Sequence, residues 1–195
     1  RLCPAMLKDF PFQTRMEGDL RFSGNIVNYI DRLVYFCGAH EKYMLKFLED
    51  YLRRLPSGEA RRLFVDVGAN AGNHALFMSR LMDEVHAFEP YPRVREQLES
   101  NIRLNAIANL RVHPFGLSDK EAVLPFYAAP DSNLGAASFH PDHKADNYYL
   151  GDMELKVGDD VLANRQGKVA VIKADVEGFE RFVLQGLRRV MEEDR

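Results

Sequence analysis

The chain has 195 residues, 46% of them hydrophobic, and a formal net charge of −3. That is enough apolar chain for one domain with a real core, and basic pairs scattered among acids (Arg53-Arg54, Arg61-Arg62, Arg188-Arg189) exclude the electrostatic footprint of a nucleic-acid binder. Two cysteines, Cys3 and Cys37, exclude a disulfide framework and any C-x-x-C metal or redox motif, and no apolar run reaches the ~18 residues that span a bilayer.

A soluble protein of a reducing compartment, by default the cytoplasm, is expected; the opening on Arg1 reads as a trimmed start. Residues 1–39 carry Pro4, Pro11, Gly18 and Gly24 as punctuation and predict a cap of short elements, with Leu33-Val-Tyr-Phe36 the best strand candidate. Residues 40–195 form the expected main domain. From His40 to Leu55, the spacing of Tyr43, Met44, Phe47, Leu48, Tyr51 and Leu52 predicts a helix with that face in the core, ended by Pro56-Ser-Gly58.

Leu63 to Met78 reads as a buried strand, a tight loop of small residues and a helix over about 72–82. Gly68 and Gly72 are expected to let backbone N–H groups approach a ligand at the helix's positive end, with the polar side chains of Asp66 and Asn70 beside them. Glu84 to Pro90 is a second strand ending in an acid, Pro92 opens a helix with Val94, Leu98 and Ile102 on one face, and Leu110 to Phe115 is a third strand closed by Gly116. Ala122 to Ala129 reads as extended and Pro130 to Gly151 as a loop over the site. Met153 to Val157 alternates like a strand, Asp159 or Asp160 caps a short helix ending near Gln166-Gly167, and Val169 to Asp175 is a further core strand. A closing helix from Phe179 to about Met191 would bury Phe179, Phe182, Val183, Leu187, Val190 and Met191. Strand alternating with helix predicts an α/β, Rossmann-like, doubly wound and mostly parallel sheet.

Such a sheet holds a nucleotide-like ligand at its carboxyl edge. A dinucleotide site wants G-x-G-x-x-G, whereas Asn70 and Asn73 stand where its second and third glycines would be. The G-x-N-x-G turn suits a ligand without phosphates, with adenosine at one end and an amino-acid zwitterion at the other, the form of S-adenosylmethionine. Glu89, at the end of the second strand, is placed to accept both ribose hydroxyls. Tyr91 is a candidate for one face of the adenine, and Phe115 or Leu117 for the other.

Val65-Asp-Val-Gly-Ala-Asn-Ala-Gly-Asn-His74, Ala87-Phe-Glu-Pro90, Gly116-Leu-Ser-Asp119 and Ile172-Lys-Ala-Asp-Val-Glu-Gly-Phe-Glu180 resemble the successive blocks of the FkbM-type S-adenosylmethionine-dependent methyltransferases. The resemblance extends over about residues 29 to 191 and includes Gly38 to Glu41. It implies a class I methyltransferase, most often an O-methyltransferase of sugars or secondary metabolites. It further implies seven strands in the order 3-2-1-4-5-7-6, so the sequence reads as cut short after the fourth core strand and its helix. The exposed sheet edge would then be a route to a homodimer.

Methyl transfer to a hydroxyl needs an aligned acceptor and a group to take its proton. Asp175, at the end of the fourth core strand, is the candidate for cofactor or acceptor contact, and Asp175, Glu177 or Lys173 is the candidate base. Asp175-Val-Glu177 could instead cap the closing helix. His74 is a candidate for the methionine end of the cofactor, with a solvent-facing or packed histidine as the equal alternative, while His86 and His113 read as structural. His140 and His143, with Asp142 and Asp146, read as a solvated loop rather than a metal site, and Tyr148-Tyr149 as either acceptor contacts or packing. Alternative functions are an NAD-dependent oxidoreductase and a non-catalytic cofactor-binding or scaffold module.

Overall fold

The computed structural model describes residues 9–55, 60–141 and 143–194. Cys3, Pro4, the helix stop at Pro56-Ser-Gly58, and Asp142 lie outside them. Pro11–Met16 (β1) and Leu20–Asn25 (β2) pair antiparallel and lead into a helix, Tyr29–Cys37 (α1). The strand expected at Leu33–Phe36 is thus helical. Its residues favour strand by propensity, but the Asn28 side chain accepts the Ile30 amide at 2.9 Å and Gly38 ends the helix at φ +81, so the caps decide the outcome.

Lys42–Arg54 (α2) corrects a second expectation. Leu45, Leu48 and Leu52 form its buried stripe, whereas Tyr43 and Phe47 are 72% and 62% exposed. Two apolar stripes compete on this helix, and the leucines win because they meet the cluster containing Phe64, Phe77 and Met78.

The remaining elements are Arg62–Val67 (β3), Asn73–Met78 (α3), Glu84–Phe88 (β4), Pro92–Leu104 (α4), Leu110–His113 (β5), Gly116–Ser118 (β6) and Ala122–Ala128 (β7). A 3-10 turn over Asp131–Ala136 precedes Tyr148–Val157 (β8), Gly158–Val161 (α5), Lys168–Ala174 (β9), Glu180–Gly186 (α6) and Arg188–Glu193 (α7). The central sheet has the order β5-β4-β3-β9, all parallel, with β5 and β9 as its edges among the described residues. Along β3 the pleat sends Phe64 into one core cluster and Leu63, Val65 and Val67 into another on the opposite face. Helices cover both faces, which is the doubly wound Rossmann-like fold.

Gly116 does not close the third strand. It opens β6, which pairs in parallel with β8 in a separate sheet of order β6-β8-β7. The helix after β3 is short, ending at Met78, and the closing helix breaks at Leu187 into α6 and α7, with Phe182 38% exposed. Asp159 does not cap α5, which ends at Val161. Its carboxylate instead accepts the amides of Arg189 and Val190, both at 2.9 Å, and so caps α7 from outside. Neither Asp175 nor Glu177 caps α6, which has no side-chain cap; the Glu180 carboxylate instead accepts the Val176 and Gly178 amides and holds the preceding turn.

The β1–β2 hairpin is fastened to α4. Asn101 accepts the Ser23 amide at 2.8 Å and Asn105 accepts the Arg21 amide at 2.7 Å. Phe22 packs with Ala71 and Leu76, which sets this segment against the loop after β3.

Candidate functional site

The loop from Gly68 to Gly72 joins β3 to α3, and each of its five amides is consumed inside the protein. Gly68 and Ala69 both donate to the Phe88 carbonyl, at 3.0 and 3.1 Å, and Asn70 donates to Glu89 Oε2 at 2.9 Å. Ala71 donates to the Asn70 side chain at 2.7 Å and Gly72 to the Ala69 carbonyl at 3.0 Å. The expectation that the glycines free N–H groups for a ligand is therefore corrected.

The glycines answer to packing instead. Gly68 has φ +78, and a Cβ there would lie 2.0 Å from the Asp175 carbonyl oxygen. Gly72 has φ +98, and its Cβ would meet Leu98 Cδ1 at 2.6 Å. Both positions demand the left-handed conformation that glycine adopts without strain.

Glu89, at the end of β4, is 7% exposed and accepts the Tyr91 amide on Oε1 and the Asn70 amide on Oε2, both at 2.9 Å. Burial pushes its carboxyl up to about 7, against the pull of those two amides. Each oxygen accepts one of these protein donors and keeps capacity for another. The carboxyl faces a hollow walled on its apolar side by Tyr91, Val94, Leu117, Phe126 and Phe139. Gly116 lines the same hollow. Phe115 does not, packing instead on Phe88 and His113.

A second hollow adjoins it, sharing Gly68, Asn70, Gly135, Asp175 and Glu177. Its other walls mix the polar side chains of His40, Asn73, His74, Asn133 and Lys173 with Tyr29, Ile30 and Ala69. Asp66 and Gly72 line neither hollow. Asp66, fully buried, acts through Lys173, whose Nζ lies 3.1 Å from Asp66 Oδ1, 3.1 Å from the Gly68 carbonyl and 3.7 Å from Asp175 Oδ2. Burial works against the Lys173 ammonium, but the Asp66 and Asp175 carboxylates outweigh it and hold its pKa above the ordinary lysine value. Glu177, at φ +51, pairs with His143 Nε2 at 2.7 Å, and its carbonyl accepts the Ser138 hydroxyl at 2.8 Å. The loop expected to cover the site does so through Leu134, Gly135, Ala137, Ser138 and Phe139.

His74 is 5% exposed, with Nδ1 3.4 Å from the Asn73 amide nitrogen and Nε2 3.5 Å from Glu41, and burial lowers its pKa. His86 and His113 stack in the sheet, nitrogen to nitrogen at 3.0 Å. Tyr149 bonds Asp152 at 3.0 Å and meets Tyr127 edge-on.

The residues that sequence reasoning passed over are His40 and Asn73. Asn73 Oδ1 accepts the His40 amide and its Nδ2 donates to the His40 carbonyl, both at 2.9 Å. The partners are 33 positions apart, so no local pattern shows the clamp.

A parallel α/β sheet with an acid ending its second core strand defines the class. The sequence pattern of the methyltransferase FkbM domain matches residues 66–195, and the chain belongs to that family. Methyltransferase 1 of Beauveria bassiana is 29% identical over 142 residues, covering 63% of this chain and 57% of its own. Hexuronic acid methyltransferase AglP of Haloferax volcanii is 31% identical over 150 residues, covering 74% of this chain and 58% of its own. The chain thus spans less than two thirds of either relative's length. The S-adenosylmethionine-dependent methyltransferase of Agrobacterium tumefaciens superposes on 55% of this chain and 33% of its own at 12% identity, with a TM-score of 0.42. No helix among the described residues is long and apolar enough to cross a membrane.

Proposed function

We propose that this chain carries the S-adenosylmethionine-binding part of a methyltransferase acting on a hydroxyl of a small molecule, a sugar or a secondary metabolite. The observation that supports it is the donor set at the site. Five consecutive loop amides are spent internally, which leaves no cradle for a pyrophosphate, while a buried carboxylate with spare acceptor capacity faces a partly apolar slot. That combination suits a ribose diol and an adenine, and it disfavours the dinucleotide alternative.

In this reading Glu89 accepts the two ribose hydroxyls, and Tyr91 and Leu117 flank the adenine. Gly116 borders the slot, and the amino-acid end lies in the second hollow beside Asn70, His74 and Lys173. Asp66 fixes Lys173, Gly68 and Gly72 shape the loop, and Asp175 and Glu177 face the junction of the two hollows. When bound, S-adenosylmethionine supplies an electrophilic methyl group and leaves as a neutral thioether. The protein's share is to orient the acceptor oxygen and take its proton.

A sugar-type acceptor draws support from the name of the Haloferax volcanii relative. Incubation with S-adenosylmethionine and glucuronic acid, read by mass spectrometry, tests the reading. Addition of one methyl group is expected. Binding of S-adenosylhomocysteine with no transfer to any hydroxyl acceptor would replace it with a non-catalytic module.

A further inference from the structure

Each candidate base read from the sequence already has another titratable side chain against it. The Lys173 ammonium is held charged by Asp66, the Glu177 carboxylate pairs with His143 at 2.7 Å, and Asp175 lies 3.7 Å from Lys173. His40 lines the same hollow and differs. Among the described residues its imidazole has no hydrogen-bond or ion-pair partner, only an edge contact with the Tyr29 ring, centroids 6.2 Å apart. The backbone beneath it is fixed. Asn73, 4% exposed, grips both the amide and the carbonyl of His40 at 2.9 Å. Asn73 is also the first residue of α3, directly after the loop, so the clamp ties the imidazole to the element that shapes the cofactor hollow.

We propose that His40 is the catalytic base that removes the proton of the acceptor hydroxyl, and that Asn73 is the residue that positions it. The proposal rests on the methyltransferase reading above. In the step, the O–H bond of the acceptor breaks and its electron pair stays on oxygen to form the new bond to the methyl carbon, the carbon–sulfur bond breaks with its pair on the departing thioether, and the proton binds an imidazole nitrogen lone pair. The resulting imidazolium then releases that proton to solvent. The groups facing His40 are Glu41 at the start of α2, Asp175 and Lys173 at the end of β9, His74 on α3 and Tyr29 on α1. Burial lowers the His40 pKa from the ordinary imidazole value, and the Glu41 and Asp175 carboxylates oppose that without reversing it. The imidazole is therefore neutral, and able to accept a proton, at pH 7.

The test compares the unaltered protein with His40→Gln. S-adenosylhomocysteine titration reports cofactor binding separately, and its loss in the unaltered protein would overturn the underlying reading rather than this one. His40→Gln is expected to bind S-adenosylhomocysteine within twofold of the unaltered protein and to lose about a hundredfold in transfer to glucuronic acid. The fall in rate below about pH 6.5 should vanish with it. Asn73→Ala should move that acid limb toward the pH of a free imidazole. Nitrogen-resolved NMR of the unaltered protein gives a readout that needs no acceptor and no variant: His40 should titrate below about 6.5. A His40 imidazole protonated at pH 7 overturns the proposal. So does a His40→Gln variant that keeps full transfer and the original pH profile.

Discussion

The Asn70 amide donates to Glu89 Oε2 at 2.9 Å, and this bond joins the loop after β3 to the end of β4. It requires Asn70 to take φ +52, a left-handed conformation that asparagine tolerates better than most residues. One carboxylate therefore shapes the loop and faces the hollow at the same time.

That dual role makes ligand binding depend on pH. The Glu89 carboxyl sits at about 7, and its ionised form accepts ribose hydroxyls more strongly than its protonated form, which spends one oxygen as a donor. Affinity for S-adenosylhomocysteine is expected to be about tenfold weaker at pH 6 than at pH 8. Calorimetric titration at the two pH values measures the difference, and Glu89→Ala should abolish both binding and its pH dependence.

Gly68→Ala places a Cβ 2.0 Å from a backbone oxygen that cannot swing away. A loss of about 3 kcal/mol or more in unfolding free energy is expected. Gly72→Ala presses on the tip of the Leu98 side chain, which can move, and should cost only about 1–2 kcal/mol. Urea denaturation of the two variants side by side checks the order.

Lys173→Met removes the ammonium 3.1 Å from the fully buried Asp66. An uncompensated buried carboxylate costs about 3–5 kcal/mol, and the double variant Asp66→Asn with Lys173→Met should recover most of it. Thermal melts of the single and double variants decide whether the pair stands or falls together.

The stacked His86–His113 pair predicts acid sensitivity. Burial first, then the neighbouring His86, Arg111 and Lys156, push His113 down to about 4. A neutral folded imidazole against an unfolded one that protonates near 6.5 contributes stability that is complete above that pH and is lost as pH falls toward 4. Glu89 and Asp31, with carboxyls raised to about 7 and about 6, act in the opposite direction but are untouched by a change at position 113. His113→Phe keeps the ring that stacks on Phe88 at 4.4 Å. Its melting temperature should fall less than the parent's between pH 7 and pH 4.5.

The central sheet was legible because β3, β4 and β9 are mainly apolar runs bounded by glycine, proline or an acid, and because strand ends such as Glu89 and Asp175 carry polar groups. Leu33–Phe36 was not legible. Its helix is decided by Asn28 and Gly38, which lie outside the run. Nor could the sequence choose between the Tyr43–Phe47 stripe and the Leu45–Leu48–Leu52 stripe of α2, since the choice depends on which one meets the core around Phe64. In the site, the glycines were recognised but their reason was not. Gly68 yields to the Asp175 carbonyl, a contact from a strand a hundred residues later. The His40–Asn73 clamp likewise arises only when the turn between α1 and α2 meets the start of α3.

The central claim is that the slot beside Glu89 takes an adenosine joined to an amino-acid tail rather than a dinucleotide. Calorimetric titration of the unaltered protein with S-adenosylhomocysteine, run beside a titration with NADH, tests it most directly. The account predicts one S-adenosylhomocysteine bound per chain and no heat from NADH. Binding of NADH with no binding of S-adenosylhomocysteine to the folded chain would contradict it.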